Sequence, residues 1–460
     1  MVLLLLLCLL LVPGPELSAQ VSEPIVLDER HEGRHLTQKI LIDSVWSGHP
    51  VRFALLTHAD RQYIAYYNAQ RIMTVGQRYL VEDTFELFTL PAKIRQDKRG
   101  TSTIVGWDSH NSLTLAMDEE GHLHMAGNMH VNGLTYFRTT KAYDITTIEQ
   151  VMQMTGKQED RCTYPRFLNT HDNQLVFHYR DGGSGNGNEI YNIYDCTSQS
   201  WRRLLDKPLT DGQGKMNAYA SGPRRGSDGW YHLYWVWRDT PDCATNHDLS
   251  YMKSKDLQHW FDVNGGTIEL PATIDQTSLI VDPIPTHGGI INLAARLAFD
   301  DEKNPVFVYH KYDEQGFLQL FCAHHKQSTW HISQLTQWDY RWEFSGGGSI
   351  NNEFLFRDFK RRADGLYLIS YWHLKYGEGS LILDRNFKPV GRVMLPSIPP
   401  VLQEVDGAFP DLMVRKATDS GESIFAEKTH MLKWETLNAN RDKPRAKPWP
   451  SPSLLYLLTF

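Results

Sequence analysis

Seven short segments of this chain look alike, and few folds can hold seven copies of one unit. Each opens on a turn or polar pair and runs into a strand-like stretch of alternating or bulky apolar residues. They begin near Asp60 (DRQYIAYY), Gly121 (GHLHMAG), Asn173 (NQLVFHYR), Gly229 (GWYHLYWVWR), Asn304 (NPVFVYHK), Gly365 (GLYLISYW) and Glu422 (ESIFAEK). The intervals are 61, 52, 56, 75, 61 and 57 residues. A second strand-like stretch precedes each copy, such as Ser112 to Met117 or Ile290 to Ala298, and a third follows most of them. A sustained 3.6-residue apolar period is almost absent, and residues 144–154 are the best short helix candidate. Seven units of three or four antiparallel strands, each about 60 residues long, read as an all-β fold: a seven-bladed β-propeller of antiparallel blades in a single domain. Ring closure leaves no blade with an open edge strand. Ser254 to Trp260 (SKDLQHW) resembles a worn Asp-box, a turn found in sialidase-like propellers.

Val2 to Val12 is an unbroken apolar run of 11 residues. It is too short for a bilayer, which needs ~20. Followed by Pro13-Gly14-Pro15 and small residues at Ser18-Ala19, it reads as a signal peptide over 1–19. A terminal extension or closing strand over 20–44 and a propeller over 45–460 complete the expected organisation. No later segment is long and apolar enough for a membrane helix, so the mature chain is expected outside the cytoplasm, secreted or periplasmic, and monomeric. The formal net charge is −7 and no run of five Lys/Arg occurs, which argues against nucleic acid as a partner. An anionic polymer would need a local basic patch set against that charge. Aromatics make up 12% of the residues, a composition suited to β packing or to stacking on sugar rings. Of the five cysteines, Cys8 would leave with the signal peptide; Cys162, Cys196, Cys243 and Cys322 fit two disulfides, four thiols or partial metal ligation.

In a hairpin of the first two strands of a blade, the start of one and the end of the other share a rim. Ligand sites belong at such a mouth. His110 and His130 hold those two places in the second unit, Tyr164 and Arg180 in the third, Tyr219 and Arg238 in the fourth, and His287 and His310 in the fifth; His373 closes the sixth hairpin. The Gly-rich stretch Arg180 to Asn188 lacks the features of a phosphate loop and reads as a tight turn that orients Arg180 or lets amides approach a ligand. Ser345 to Ser349 could do the same. Cys243 and His247, with His287 or His310, are candidate ligands of a structural metal.

Glycoside hydrolases usually rely on two carboxylates. This rim offers His and Tyr beside Arg, a set suited to β-elimination of a uronate polysaccharide. A guanidinium neutralises the uronate carboxylate and makes the C5 proton acidic. A neutral His or an ionised Tyr takes that proton, and a Tyr hydroxyl protonates the departing O4. No organic cofactor is required.

The stretches GWDSHNSLTLAMDEEGHLHMAGNMH (106–130), YPRF (164–167), YRDGGSGNGN (179–188), RDTPDCATNHDLSYMKSKDLQHW (238–260), HGGIINL (287–293), YHKYD (309–313) and WDYRWEFSGGGSI (338–350) resemble the propeller ulvan lyases of polysaccharide lyase families twenty-four and twenty-five, within the BNR-repeat proteins. The resemblance runs from about residue 45 to 435. It implies a seven-bladed propeller that cuts a sulfated rhamnose–uronate polysaccharide by elimination. On the matching positions, His110 and His130 would be the family's histidine pair, Tyr164 its acid/base tyrosine and Arg180 its carboxylate neutraliser. Members of the group can carry a structural metal, so zinc or calcium stays open. Tyr219, Arg238, His287 and His310 enter from the rim geometry alone, as substrate-binding residues. A sialidase-like glycoside hydrolase and a non-catalytic glycan-binding propeller are the competing readings.

Overall fold

A computed structural model describes residues 35–395, 398–423 and 428–460. The expected signal peptide lies outside the described residues. What they form is all-β, and their helical content is four three-residue 3-10 turns. No helix among them is long and apolar enough to cross a membrane.

The unit is a meander of consecutive antiparallel strands. In the first, Ala54–Ala59, Arg61–Tyr67, Met73–Tyr79 and Glu86–Thr89 pair in chain order. The same pattern recurs over residues 113–151, 162–203, 217–261, 295–334 and 354–391. The units over 162–203 and 217–261 join into one eleven-stranded sheet through a parallel contact of Gly187 with Asn217. The last sheet draws on both ends of the chain: Gln38–Val45 pairs with Ser453–Thr459, which pairs with His430–Thr436 and through it with Met413–Thr418. First strands lie side by side, Ala54–Ala59 against both Leu113–Met117 and Met413–Thr418, Leu113–Met117 against Cys162–Asn169, and Ala295–Phe299 against Phe354–Arg361.

One turn recurs at the hairpins of several units and opens two copies of the repeat, those at Gly121 and Asn304. At Asp118, Asp262, Asp300, Asp313 and Asp384 the carboxylate accepts the backbone N–H groups two and four residues on, at 2.8–3.1 Å. The residue three on is left-handed, as at Gly121 with φ 85° and Gly316 with φ 83°. An Asp that bonds its own backbone and a Gly free of Cβ strain are what a tight hairpin needs. Second strands of the units, such as Tyr231–Arg238 and Pro305–Tyr312, are largely buried on both faces. All eight residues of Tyr231–Arg238 are buried, which is why that segment reads as a continuous bulky run instead of an alternation. Trp235, Trp237 and Trp260 are each 1% exposed in this core. Trp237→Ala is expected to cost ~3–5 kcal/mol of stability, read as a lower urea midpoint at unchanged slope.

Three expectations need correction. The seventh copy is misplaced: Glu422–Ser423 runs parallel to Ala54–Ala59, and the second strand of that sheet is His430–Thr436. Residues 144–154 form a single 3-10 turn, Ile145–Thr147, and then the strand Ile148–Val151, because pairing with Tyr136–Thr139 outweighs the local helical pattern. The first strand of the fifth unit starts at Ala295, not Ile290. Of the states the sequence left open for Cys162, Cys196, Cys243 and Cys322, the structure has four free thiols.

Candidate active site

Asp108 is the hinge of the site. It sits in the loop before Leu113–Met117, and its two carboxylate oxygens meet two imidazoles: Oδ1 lies 2.9 Å from His110 Nδ1 and Oδ2 2.5 Å from His130 Nδ1. The rings stand 4.4 Å apart. Asp442, from a loop near the chain end, adds a second carboxylate 3.2 Å from His110 Nδ1. That loop is anchored locally, since Asp442 also accepts from Ser109 N and from Ser349 N and Oγ. His130 is carried there by a short strand, His130–Asn132, that pairs with Cys162–Asn169. Val131 adopts φ 63°, unusual for a β-branched residue, and its N–H is held by Thr163 Oγ1 at 2.8 Å.

Tyr164 reaches the same place through a bulge. The ladder between Cys162–Asn169 and Leu175–Gly183 slips by one residue between Thr163 and Arg166. Pro165 lies in that slip and has no N–H to lose from the ladder. Tyr164 takes φ 55°, a strained value for an aromatic residue, and its ring lands 5.7 Å from His110 and 5.6 Å from His130. Arg180 lies directly behind. It is 1% exposed, with its guanidinium carbon 4.9 Å from the Tyr164 ring centre and 5.2 Å from that of Tyr219. Gly187 makes room for it, since a Cβ there would come within 2.7 Å of Arg180 Cδ. The Gly-rich loop thus seats the arginine. Arg180 Nη1 and Nη2 have no hydrogen-bond partner. Tyr219 completes the group: its hydroxyl accepts from Arg238 Nη1 at 2.7 Å and donates to Ser184 Oγ at 2.9 Å.

These neighbours set opposite proton states. Burial disfavours the His110 imidazolium, but the Tyr164 oxygen and the Asp108 and Asp442 carboxylates outweigh it and hold its pKa well above the ordinary value. His130 goes the other way, because burial outweighs its contact with Asp108 and lowers its pKa. Burial opposes the Asp108 charge, yet the two histidines keep that carboxyl far below its usual range. Burial raises the Tyr164 phenol. Burial alone would raise Tyr219 too, but Arg180 and Arg238 bring it below the ordinary tyrosine value. At neutral pH the site therefore holds an imidazolium, a neutral imidazole with Nε2 free, and a protonated phenol. Asp108→Asn removes the charge both imidazoles face, so the titration midpoint of His110 followed by NMR is expected to move to lower pH. An unchanged midpoint would show that Asp108 does not hold that proton.

His110, His130, Tyr164, Tyr219, Arg238 and His310 all line one cavity of about 830 Å3, a size suited to a sugar unit. His310 is neutral, its pKa lowered to about 4 by burial, with Nδ1 on Gly289 O at 2.9 Å. His287 does not belong: it is exposed, outside the cavity lining, and tied by its backbone N–H to Ala244 O. Seven residues of chain separate it from Ala295, too many for it to mark the rim. His373 is fully buried among Trp338, Tyr340 and Phe354, outside the cavity lining. Cys243 and His247 make no metal centre among the described residues, since both ring nitrogens of His247 are taken by Asp239 and Asp248. Asp108, His110 and His130 are the one group of potential metal ligands found there, with donor atoms within 4.8 Å of one another, and both Asp108 oxygens already face imidazole nitrogens. Sequence reasoning missed Asp108, which stands two residues before His110, and Asp442, which no local signal marks.

The sequence pattern of the BNR repeat-containing family matches residues 61–338. Among curated proteins, the short isoform of an ulvan lyase from Alteromonas sp. (strain LOR) is 27% identical over 25% of this chain and 30% of its own length. A long isoform from Pseudoalteromonas sp. (strain PLSV) is 38% identical over 15% of this chain and 8% of its own. The chain thus spans less than a third of these relatives. Among solved structures, the polysaccharide lyase Uly1 superposes with a TM-score of 0.60 at 13% identity, over 92% of this chain and 99% of that one. A family 25 ulvan lyase bound to -[GlcA(1-4)Rha3S]- gives 0.58 at 12% identity, over 91% and 95%. Those likenesses establish a shared all-β fold, and the match over more than half of the sequence establishes that this chain belongs to the BNR repeat-containing family.

Proposed function

We propose that this chain is a secreted polysaccharide lyase that cuts a uronate-containing, ulvan-like glycan by β-elimination at the mouth of a seven-bladed β-propeller. The ring is supported by the side-by-side first strands, by the meanders that repeat along the chain, and by the final sheet, which Gln38–Val45 enters from the other chain end. Export is supported by the apolar run Val2 to Val12. The ulvan lyases among the relatives, one of them holding -[GlcA(1-4)Rha3S]-, support the substrate class.

One observation carries the chemistry: a neutral imidazole, an imidazolium and a protonated phenol line one cavity, and the Arg180 guanidinium, with both Nη atoms unpartnered, is buried directly behind the Tyr164 ring. A uronate carboxylate drawn toward Arg180 and Arg238 loses its charge repulsion against a developing C5 carbanion. His130 Nε2 then takes the C5 proton. The pair left on C5 forms the C4=C5 double bond as the C4–O4 bond breaks and its pair leaves with O4, which Tyr164 protonates, with the His110 imidazolium beside it as the source that restores the phenol. Tyr219, Arg238 and His310 bind the sugar. The rate is expected to need His130 neutral, so the acidic limb of kcat/KM should fall below the ordinary histidine pKa, in line with the lowered pKa of that ring. The test is ultraviolet absorbance of unsaturated uronate ends on a panel of ulvan and other uronic polymers. Absorbance that grows with time supports the proposal. New reducing ends without absorbance, or binding without turnover, would replace it with hydrolysis or with simple recognition.

A further inference from the structure

A buried carboxylate and a buried imidazole that the chemistry above does not use line the same cavity. Glu189 is 7% exposed and His178 6%, and both belong to the cavity wall. The strand register puts them there. Glu189, on Asn186–Asp195, stands opposite Arg180 on Leu175–Gly183, so the two side chains leave the same face of the sheet. His178 leaves that face two residues before Arg180 and stands opposite Tyr191, whose ring it stacks on at 5.0 Å and 11°. Glu189 Oε2 is 3.7 Å from His178 Nδ1, beyond hydrogen-bond reach. His178 Nδ1 has no hydrogen-bond partner, and nothing among the described residues donates to the Glu189 carboxylate. Burial lowers the His178 pKa against the pull of Glu189, so that ring is neutral. Arg166 does not neutralise the pair. It stands opposite His178 on Cys162–Asn169, the strand away from Glu189, and makes no ion pair among the described residues.

A carboxylate held this way is costly unless a ligand brings donors to it. Sugar hydroxyls are such donors. A carboxylate accepts from two O–H groups, and a neutral imidazole donates to or accepts from a third position. We propose that Glu189 and His178 form a subsite for a pair of free, adjacent hydroxyls on the sugar next to the uronate, and that Glu189 turns away a sugar carrying an anionic substituent there. Cross-strand neighbours on one face have Cβ atoms about 5 Å apart, so Glu189 lies close to Arg180, which stands behind Tyr164. A sulfate ester or a second carboxylate at this point would meet a like charge in a buried wall, where water screens little. The place beside the uronate rests on the lyase reading given above; the preference for an uncharged sugar is tested without turnover.

Calorimetry measures the affinity of the full chain for ulvan oligosaccharides, native and chemically desulfated, with and without Glu189→Gln. Both proteins carry Tyr164→Phe, so that the ligand is not cut during the titration. Glu189→Gln is expected to weaken binding of the desulfated oligosaccharide about tenfold, as when a charged hydrogen-bond partner is lost, and to strengthen binding of the sulfated one. Its Tm should be no lower than that of its parent, since the amide keeps the shape and removes a buried charge. Affinities that fall together, or that do not move, overturn the subsite. So does failure of the parent to bind the desulfated oligosaccharide. A large fall in Tm would make Glu189 a structural group and overturn it too. Unsaturated ends made by the protein with Tyr164 intact are read separately. Opposite shifts in affinity without such ends leave the subsite standing and remove the lyase reading; such ends without the shifts do the reverse.

Discussion

Tyr164→Phe is expected to lower kcat on a uronic polymer by roughly a thousandfold, within the range removed with a general acid, while KM and Tm hardly change. The hydroxyl is the only group lost. The ring keeps its contacts with His110, His130 and Arg180, so packing and the strained bulge are preserved. Burial keeps this phenol protonated across the neutral range. It is therefore poised to give a proton to O4, and the neutral His130 is poised to take one from C5. A variant that keeps full turnover would move the acid role to His110, whose pKa lies well above the ordinary histidine value.

Arg180→Met is expected to abolish turnover, by about a hundredfold or more as when a charge-stabilising donor is removed, without lowering Tm. The reason lies in what the guanidinium costs. It is 1% exposed and both its Nη atoms lack partners, so the folded protein carries a buried charge that bonds only one carbonyl, that of Gly182 through Nε at 3.4 Å. Replacing such a charge with an apolar side chain of similar length is often neutral or stabilising. Loss of activity with unchanged or higher Tm would mark Arg180 as kept for chemistry. A large fall in Tm would instead make it a structural clamp between Tyr164 and Tyr219.

The local parts of this molecule were readable before any coordinates. An Asp at a fixed offset opens several hairpins, often with Gly three residues on, and buried strands such as Tyr231–Arg238 announce themselves by bulk. Local pattern fails where distant pairing decides. The segment after Gly421 has the right residues for a second strand, but the chain ends compete for that sheet, and His430–Thr436 is the strand that pairs with Ser453–Thr459. Rim logic gathered His110, His130, Tyr164 and Arg180 because each lies within three residues of a strand end at the shared rim. It misplaced His287, which hangs on a loop whose length the pattern did not set. Asp442 reaches His110 from 332 positions along the chain, and only folding reveals that neighbour.

The most direct measurement is a crystal structure of the Tyr164→Phe protein soaked with a uronate oligosaccharide. The account predicts a uronate carboxylate within hydrogen-bond distance of Arg180 or Arg238 and the C5 hydrogen directed at His130 Nε2. An oligosaccharide bound away from this cavity, or one whose carboxylate turns away from both guanidiniums, would contradict it.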